Sequence, residues 1–136
     1  MLEDDAGVVY ESAIINEYLD EKFPEIRLMP SNPLLRSKAR IWIDFFNSRV
    51  HTAASDISHN REPEKAREQM KKHLETLDKE MAGRKYIIGD YSLADITFIP
   101  FYTRRQRYGV VIDDNYRNLK RWGEDLISRP QVVPTI

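Results

Sequence analysis

The stretch from Pro33 to Ala54 does most to limit the folds open to this chain. Leu35, Ala39, Trp42, Phe46, Val50 and Ala53 recur every three or four residues, the period of one α-helical face. Ile41, Ile43 and Phe45 widen that stripe, so the helix is expected to be covered on more than one side. A helix this apolar must act as a spine around which other elements pack. Asn32 offers a cap for it, and Pro33 suits the first helical position, where a missing N–H costs nothing. The polar run from His59 to Pro63 should end it.

Four more segments carry helical spacing. From Ser12 to Phe23, Ile14, Ile15, Tyr18, Leu19 and Phe23 form an apolar face, with Ser12 as the expected N-cap and Pro24 as the stop. From Pro63 to Ala82 the apolar stripe is narrow (Ala66, Met70, Leu74, Leu77, Met81), and Lys and Glu cover the rest, as on a surface helix. Gly83 suits the left-handed position after it. Ser92-Leu93-Ala94-Asp95 fits a capping box with Asp in place of the usual Glu or Gln. In it the Ser92 hydroxyl accepts from the Asp95 N–H, and the Asp95 carboxylate reaches back to the Ser92 N–H. Tyr91 and Ile96 stand at the two positions of a hydrophobic staple. Pro100 lies inside this helix and should kink it, and Gly109 should close it. The last helix spans about Asn115 to Ile127, with Leu119, Trp122 and Leu126 facing inward. Only Val8-Val9-Tyr10 reads as a strand. Three residues make no sheet, so it needs partners that are not evident in the chain. The balance predicts an all-α helical bundle with a short N-terminal strand.

Composition narrows the chemistry. With 136 residues this is about one domain. Its 21 basic and 22 acidic side chains nearly cancel, so there is no cationic excess of the kind that holds phosphate backbones, and no nucleic-acid partner is expected. Cysteine is absent, which excludes disulfides, zinc–thiolate sites and a Cys nucleophile, and is compatible with the cytosol. No run approaches 18 apolar residues, so no membrane partner is expected. His51, His59 and His73 lack metal-ligand spacing, and there is no P-loop or dinucleotide fingerprint. Ser92 has no nearby His to act as base, so Ser92 and Asp95 read as a folding device together with Tyr91 and Ile96. Glu11-Ser12 is more suggestive. A helix start offers free N–H groups and a hydroxyl to a carboxylate, and Glu11 could accept from an ammonium, although a plain N-cap explains the same residues. Arg104, Arg105 and Arg107 can offset the negative end of their helix or form a cationic rim, with Tyr102 and Tyr108 beside them.

Three stretches together carry a family resemblance. They are Val8-Val9-Tyr10-Glu11-Ser12-Ala13-Ile14-Ile15 through Tyr18-Leu19, the run from Tyr86-Ile87-Ile88-Gly89-Asp90 into Tyr91-Ser92-Leu93-Ala94-Asp95-Ile96, and Leu119-Lys120-Arg121-Trp122 followed by Ser128-Arg129-Pro130. In this order and spacing they resemble the glutathione transferase family. The resemblance implies that residues 1–24 are the last strand and helix of a thioredoxin-like domain, 25–32 a linker, and 33–136 the all-helical C-terminal domain. It implies that Glu11 and Ser12 meet the γ-glutamyl end of glutathione, and that Arg104, Arg105 and Tyr108 border an electrophile pocket. The chemistry implied is conjugation of the glutathione thiolate to an electrophile, with glutathione as co-substrate, no other cofactor, and a cytoplasmic homodimer as the working form. No residue matches the family's thiolate-stabilising group, so the catalytic residue is unknown. The expectation is a truncated chain, inactive alone. The alternative is a non-catalytic dimerisation or protein-docking module of the kind found in translation and stress-response proteins.

Overall fold

A computed structural model describes all residues, 1–136. The chain opens with a hairpin in which β1 (Leu2–Asp4) pairs antiparallel with β2 (Gly7–Val9), Leu2 opposite Val9 and Asp4 opposite Gly7. The strand partner that seemed missing is therefore Leu2–Asp4. Leu-Glu-Asp has little β-propensity and gave no signal of its own. The turn supplies the pairing instead: Asp4 Oδ1 accepts from Ala6 N at 2.8 Å, and Gly7 holds φ 138°, open to glycine. Asp4 also ties the hairpin to the next helix, through Tyr18 Oη at 2.5 Å and an ion pair with Lys22.

Helix α1 covers Ser12–Lys22. The expected Ser12 cap is corrected. Glu11 occupies the cap position with φ 65° and ψ 123°, its carbonyl accepts from Ile15 N at 2.8 Å, and no side chain caps the start. Ser12 is already inside the first turn. The spine is α2 (Pro33–Phe45), a π-turn (Phe46–Val50) and α3 (His51–Ser58). Asn32 Oδ1 caps α2 through Leu34 N and Leu35 N at 3.0 and 3.1 Å. The wider π-turn buries both Phe46 and Val50 while Asn47, Ser48 and Arg49 face out. Period-counting alone reads the same stretch as one uninterrupted rod, which is why the expected five helices become six. After it come α4 (Pro63–Glu80), α5 (Leu93–Arg104) with a 3-10 turn at Arg105–Tyr108, and α6 (Arg117–Ile127).

The core runs through the spine, α5 and α6. Phe98 stacks on Trp122 with centroids 4.3 Å apart and planes 10° apart, and Phe46 closes on Phe98 at 5.5 Å; all three are fully buried. Such pairs add about 0.5–1.5 kcal/mol each beyond the area they bury. Trp42 lies half-buried at the edge of this cluster, edge-on to Phe45 at 5.3 Å. The box at the start of α5 closes both ways: Ser92 Oγ accepts from Ala94 N at 3.2 Å, and Asp95 Oδ2 accepts from Ser92 N at 3.0 Å. Tyr91 and Ile96 pack half-buried against the core. Two further caps join elements far apart in sequence. Asp78 of α4 accepts from Asn118 N and Leu119 N at the start of α6 (2.8 and 3.0 Å), and Arg121 returns to Met81 O and Arg84 O past the end of α4 (2.9 and 2.8 Å). No helix is long and apolar enough to cross a membrane.

Candidate functional site

The start of α1 is the first place to look. Glu11 and Ser12 are both exposed there. The first helical bond belongs to Ile15 N, so the N–H groups of Ser12, Ala13 and Ile14 precede the helical ladder, and no side chain covers them. A left-handed backbone at a non-glycine residue costs on the order of 1–3 kcal/mol and concentrates at functional positions. The uncapped start leaves the positive end of α1 open beside a carboxylate and a hydroxyl. That arrangement suits a group carrying both a carboxylate and an ammonium. The open N–H groups and the Ser12 hydroxyl could take the first, and Glu11 the second.

Other residues hold this element in place. Asp20, on α1, is buried, and its carboxylate accepts from Leu28 N and, at 3.2 Å, from Met29 N. It thereby fixes the connector leading to α2. The connector is held in turn by Leu93 N, which donates to Leu28 O at 3.4 Å. Glu17 of α1 receives a forked pair from Arg40 of α2, at 3.1 and 2.7 Å, and Arg40 holds its carboxyl below the usual range. Sequence reasoning missed both residues. An Asp inside an apolar face is the only trace Asp20 leaves, and its partners are backbone groups of a segment whose path the sequence does not specify.

The predicted cationic rim is carried by the end of α5 and the 3-10 turn after it. Arg104 is exposed at the end of α5 and faces His51 of α3, which is half-buried; burial and then the Arg104 charge push the His51 pKa down. His51 sits edge-on to Phe101 at 6.5 Å, and Tyr108 stacks on the other side of the cluster against Phe101 at 6.2 Å. Arg105 is engaged with its own helix: its Nη1 donates to Tyr102 O at 2.6 Å and its guanidinium lies 4.0 Å from the Tyr102 ring centroid. So Arg104, His51, Phe101 and Tyr108 come together, while Arg105 closes the end of α5.

Asp95 is the most connected buried group. Besides Ser92 it accepts from Ile87 N at 3.1 Å and Trp122 Nε1 at 3.0 Å, and burial raises its pKa against the pull of these donors. It touches no opening, and its surroundings are those of a folding device.

A spine interrupted by a π-turn, a boxed helix buried beside it and a strand–helix piece in front define a helical bundle of the glutathione transferase C-terminal type, with a small thioredoxin-like remnant. Comparison with known proteins agrees. Residues 43–130 match the family model "Glutathione S-transferase, C-terminal domain", so the chain belongs to the glutathione S-transferase family. A probable glutathione S-transferase of Nicotiana tabacum is 31% identical over 136 residues, covering 94% of this chain and 61% of the relative. The chain thus spans about three-fifths of the length of that relative. A stringent starvation protein A homolog of Haemophilus ducreyi is 33% identical over 107 residues, covering 76% of this chain and 50% of its own. Among solved structures, a Gtt2-class glutathione S-transferase of Vibrio parahaemolyticus superposes with a TM-score of 0.85 at 28% identity, covering 96% of this chain and 68% of the other. The bacterial transferase BphK, in a ternary complex, gives 0.87 at 20% identity, covering 98% and 70%, a likeness of fold.

Proposed function

We propose that this chain is the glutathione-end and helical portion of a glutathione transferase-like protein. In this reading residues 1–24 belong to a thioredoxin-like domain, 25–32 are the linker, and 33–136 the helical domain. Glu11 and Ser12 receive the γ-glutamyl end of glutathione, and the observation that carries this is the uncapped start of α1 behind the left-handed Glu11. The cluster of Arg104 and Tyr108, with Arg105 behind it, borders the electrophile. No residue of the sequence matches the family's thiolate-stabilising group, and in this reading the 136 residues by themselves conjugate nothing. The working form is a cytoplasmic homodimer. Calorimetric titration with glutathione tests the site: weak binding that is abolished in Glu11→Ala/Ser12→Ala supports it, and unchanged binding in that variant defeats it. Robust conjugation of a chloronitrobenzene by the isolated chain would overturn the inactivity.

A second reading has its own support. Tyr10, Ile14, Phe23 and Ile26 are exposed around α1, an apolar surface suited to a macromolecular partner. One relative carries the name of a starvation protein, not of a transferase. A non-catalytic docking or dimerisation module is favoured if glutathione fails to bind and the apolar face self-associates.

A further inference from the structure

Where α4 meets α3 and the segment after the 3-10 turn lies an open groove of about 260 Å³. Its floor is apolar: Ile57 from α3, Met70 and Leu74 from α4, and Val110 after the 3-10 turn. Val111 stands at the mouth, 69% exposed, with Tyr116 closing one end. Arg67 and Lys71 occupy the α4 edge. The Arg67 guanidinium reaches over to the turn that delivers Val110, so that a Cβ placed on Gly109 would sit 3.7 Å from Arg67 Nη1.

The charges are arranged in a particular way. Along α4, Lys65 is paired with Glu62 and Lys72 with Glu68. Arg67 and Lys71 form no ion pair, although they flank the groove. The carboxylates that bear on the groove, Glu75, Asp78 and Asp113, gather about Tyr116. Two unpaired cations thus line one edge, separated by one helical turn, a rise of about 6 Å. In an extended segment, residues i and i+2 point to the same side about 6.6 Å apart, and the residue between points the other way.

We propose that this groove docks an extended acidic segment of the pattern acid–apolar–acid in a partner protein. The two carboxylates meet Arg67 and Lys71 on the α4 edge, and the central aliphatic or aromatic side chain, pointing away from that edge, lies across the groove toward Ile57 and Val110. The groove is short and open, lined by side chains from α3, α4 and the segment after the 3-10 turn, and suits a single extended segment. The carboxylates around Tyr116 repel acids from that end and so keep the segment beside Arg67 and Lys71. This site shares no residue with the start of α1, and its occupancy does not depend on glutathione.

The test uses the full 136-residue chain and a fluorescein-labelled heptapeptide, Gly-Ser-Asp-Leu-Asp-Ser-Gly, followed by fluorescence anisotropy at low ionic strength. The expected result is saturable binding below millimolar peptide that weakens at least tenfold in Arg67→Gln/Lys71→Gln and at least fivefold in Val111→Asp. Lys72→Gln, on a paired and exposed lysine, should change it less than twofold. A peptide with Asn for both Asp should not saturate, and one with Gly for Leu should bind at least fivefold more weakly. Circular dichroism identical to the parent chain shows that each variant is folded. Equal binding of the Asn peptide, an equal loss in Lys72→Gln, or binding of octanoate to the groove without binding of the peptide would overturn the proposal.

Discussion

Glu11 stores backbone strain at the one place where α1 is left uncapped. Its φ of 65° with ψ of 123° is a region open to glycine and costly for a side chain. Substituting glycine removes that cost together with the carboxylate. Glu11→Gly is expected to raise unfolding stability by about 1 kcal/mol in urea titration, while glutathione binding falls. A destabilised Glu11→Gly chain would show that the strain is not there. Asp95 is the opposite kind of residue, one whose whole value is structural. Truncating it leaves the Ile87 and Ser92 N–H groups and Trp122 Nε1 without a buried acceptor. Asp95→Ala should therefore cost about 3 kcal/mol or more, and Asp95→Asn, which keeps an acceptor, clearly less. Part of this was readable from four adjacent letters, because a capping box is local. The bonds from Ile87 and Trp122 were not, since they depend on α6 lying across α5, and Asp20 was invisible for the same reason.

Among the elements, α5 and α6 approach closely at one point. Gly123 of α6 lies against the Tyr102 ring of α5, where a Cβ would come within 2.1 Å of Cε2. Tyr102 is fully buried, so it cannot swing away without displacing Phe98, 5.7 Å off. Gly123→Ala should thus cost about 2–3 kcal/mol, measured as a drop in the thermal midpoint, with Gly123→Val worse. A neutral Gly123→Ala would mean that the helices can separate cheaply. This glycine sits mid-helix in the sequence with only a propensity penalty to mark it. Helix positions were legible because the apolar period and the stops at Pro24, His59–Pro63 and Gly109 are local signals. The π-turn was not: shifting the phase by one residue leaves the apolar letters in nearly the same places. The hairpin was half legible, through Val8 and Val9, and its other strand was set by the turn.

At the scale of the whole molecule, acid stability follows from two half-buried histidines. Burial depresses the pKa of His51, aided by Arg104, and of His73, aided by Arg49, below the ordinary 6.5. The unfolded chain therefore binds protons before the folded one does, and stability should fall as pH drops from about 7 through 6.5 and below. The salt-bridged Glu17 adds its own loss only lower, below its ordinary 4.5. The raised Asp95 works against both, because its folded form protonates more readily. A His51→Gln/His73→Gln chain should lose the upper part of this pH dependence in denaturation measured from pH 7.5 to 5. The same scale holds bare apolar side chains. Ile14 on α1 is 58% exposed, Phe23 just past its end 56%, and Ile26 on the connector 79%. Ile14 and Phe23 gave helical spacing to the sequence, as if they faced a core, yet each is more than half exposed. Apolar side chains that read as buried and are found bare call for a partner, and for this chain alone the partner at hand is a second copy. Light scattering across a range of concentrations should show mass rising above the monomer, and Ile14→Lys/Phe23→Lys should return it to the monomer without loss of helicity. A chain that stays monomeric at every concentration, with the lysine variant indistinguishable from it, would remove both the homodimer and the self-associating module from consideration.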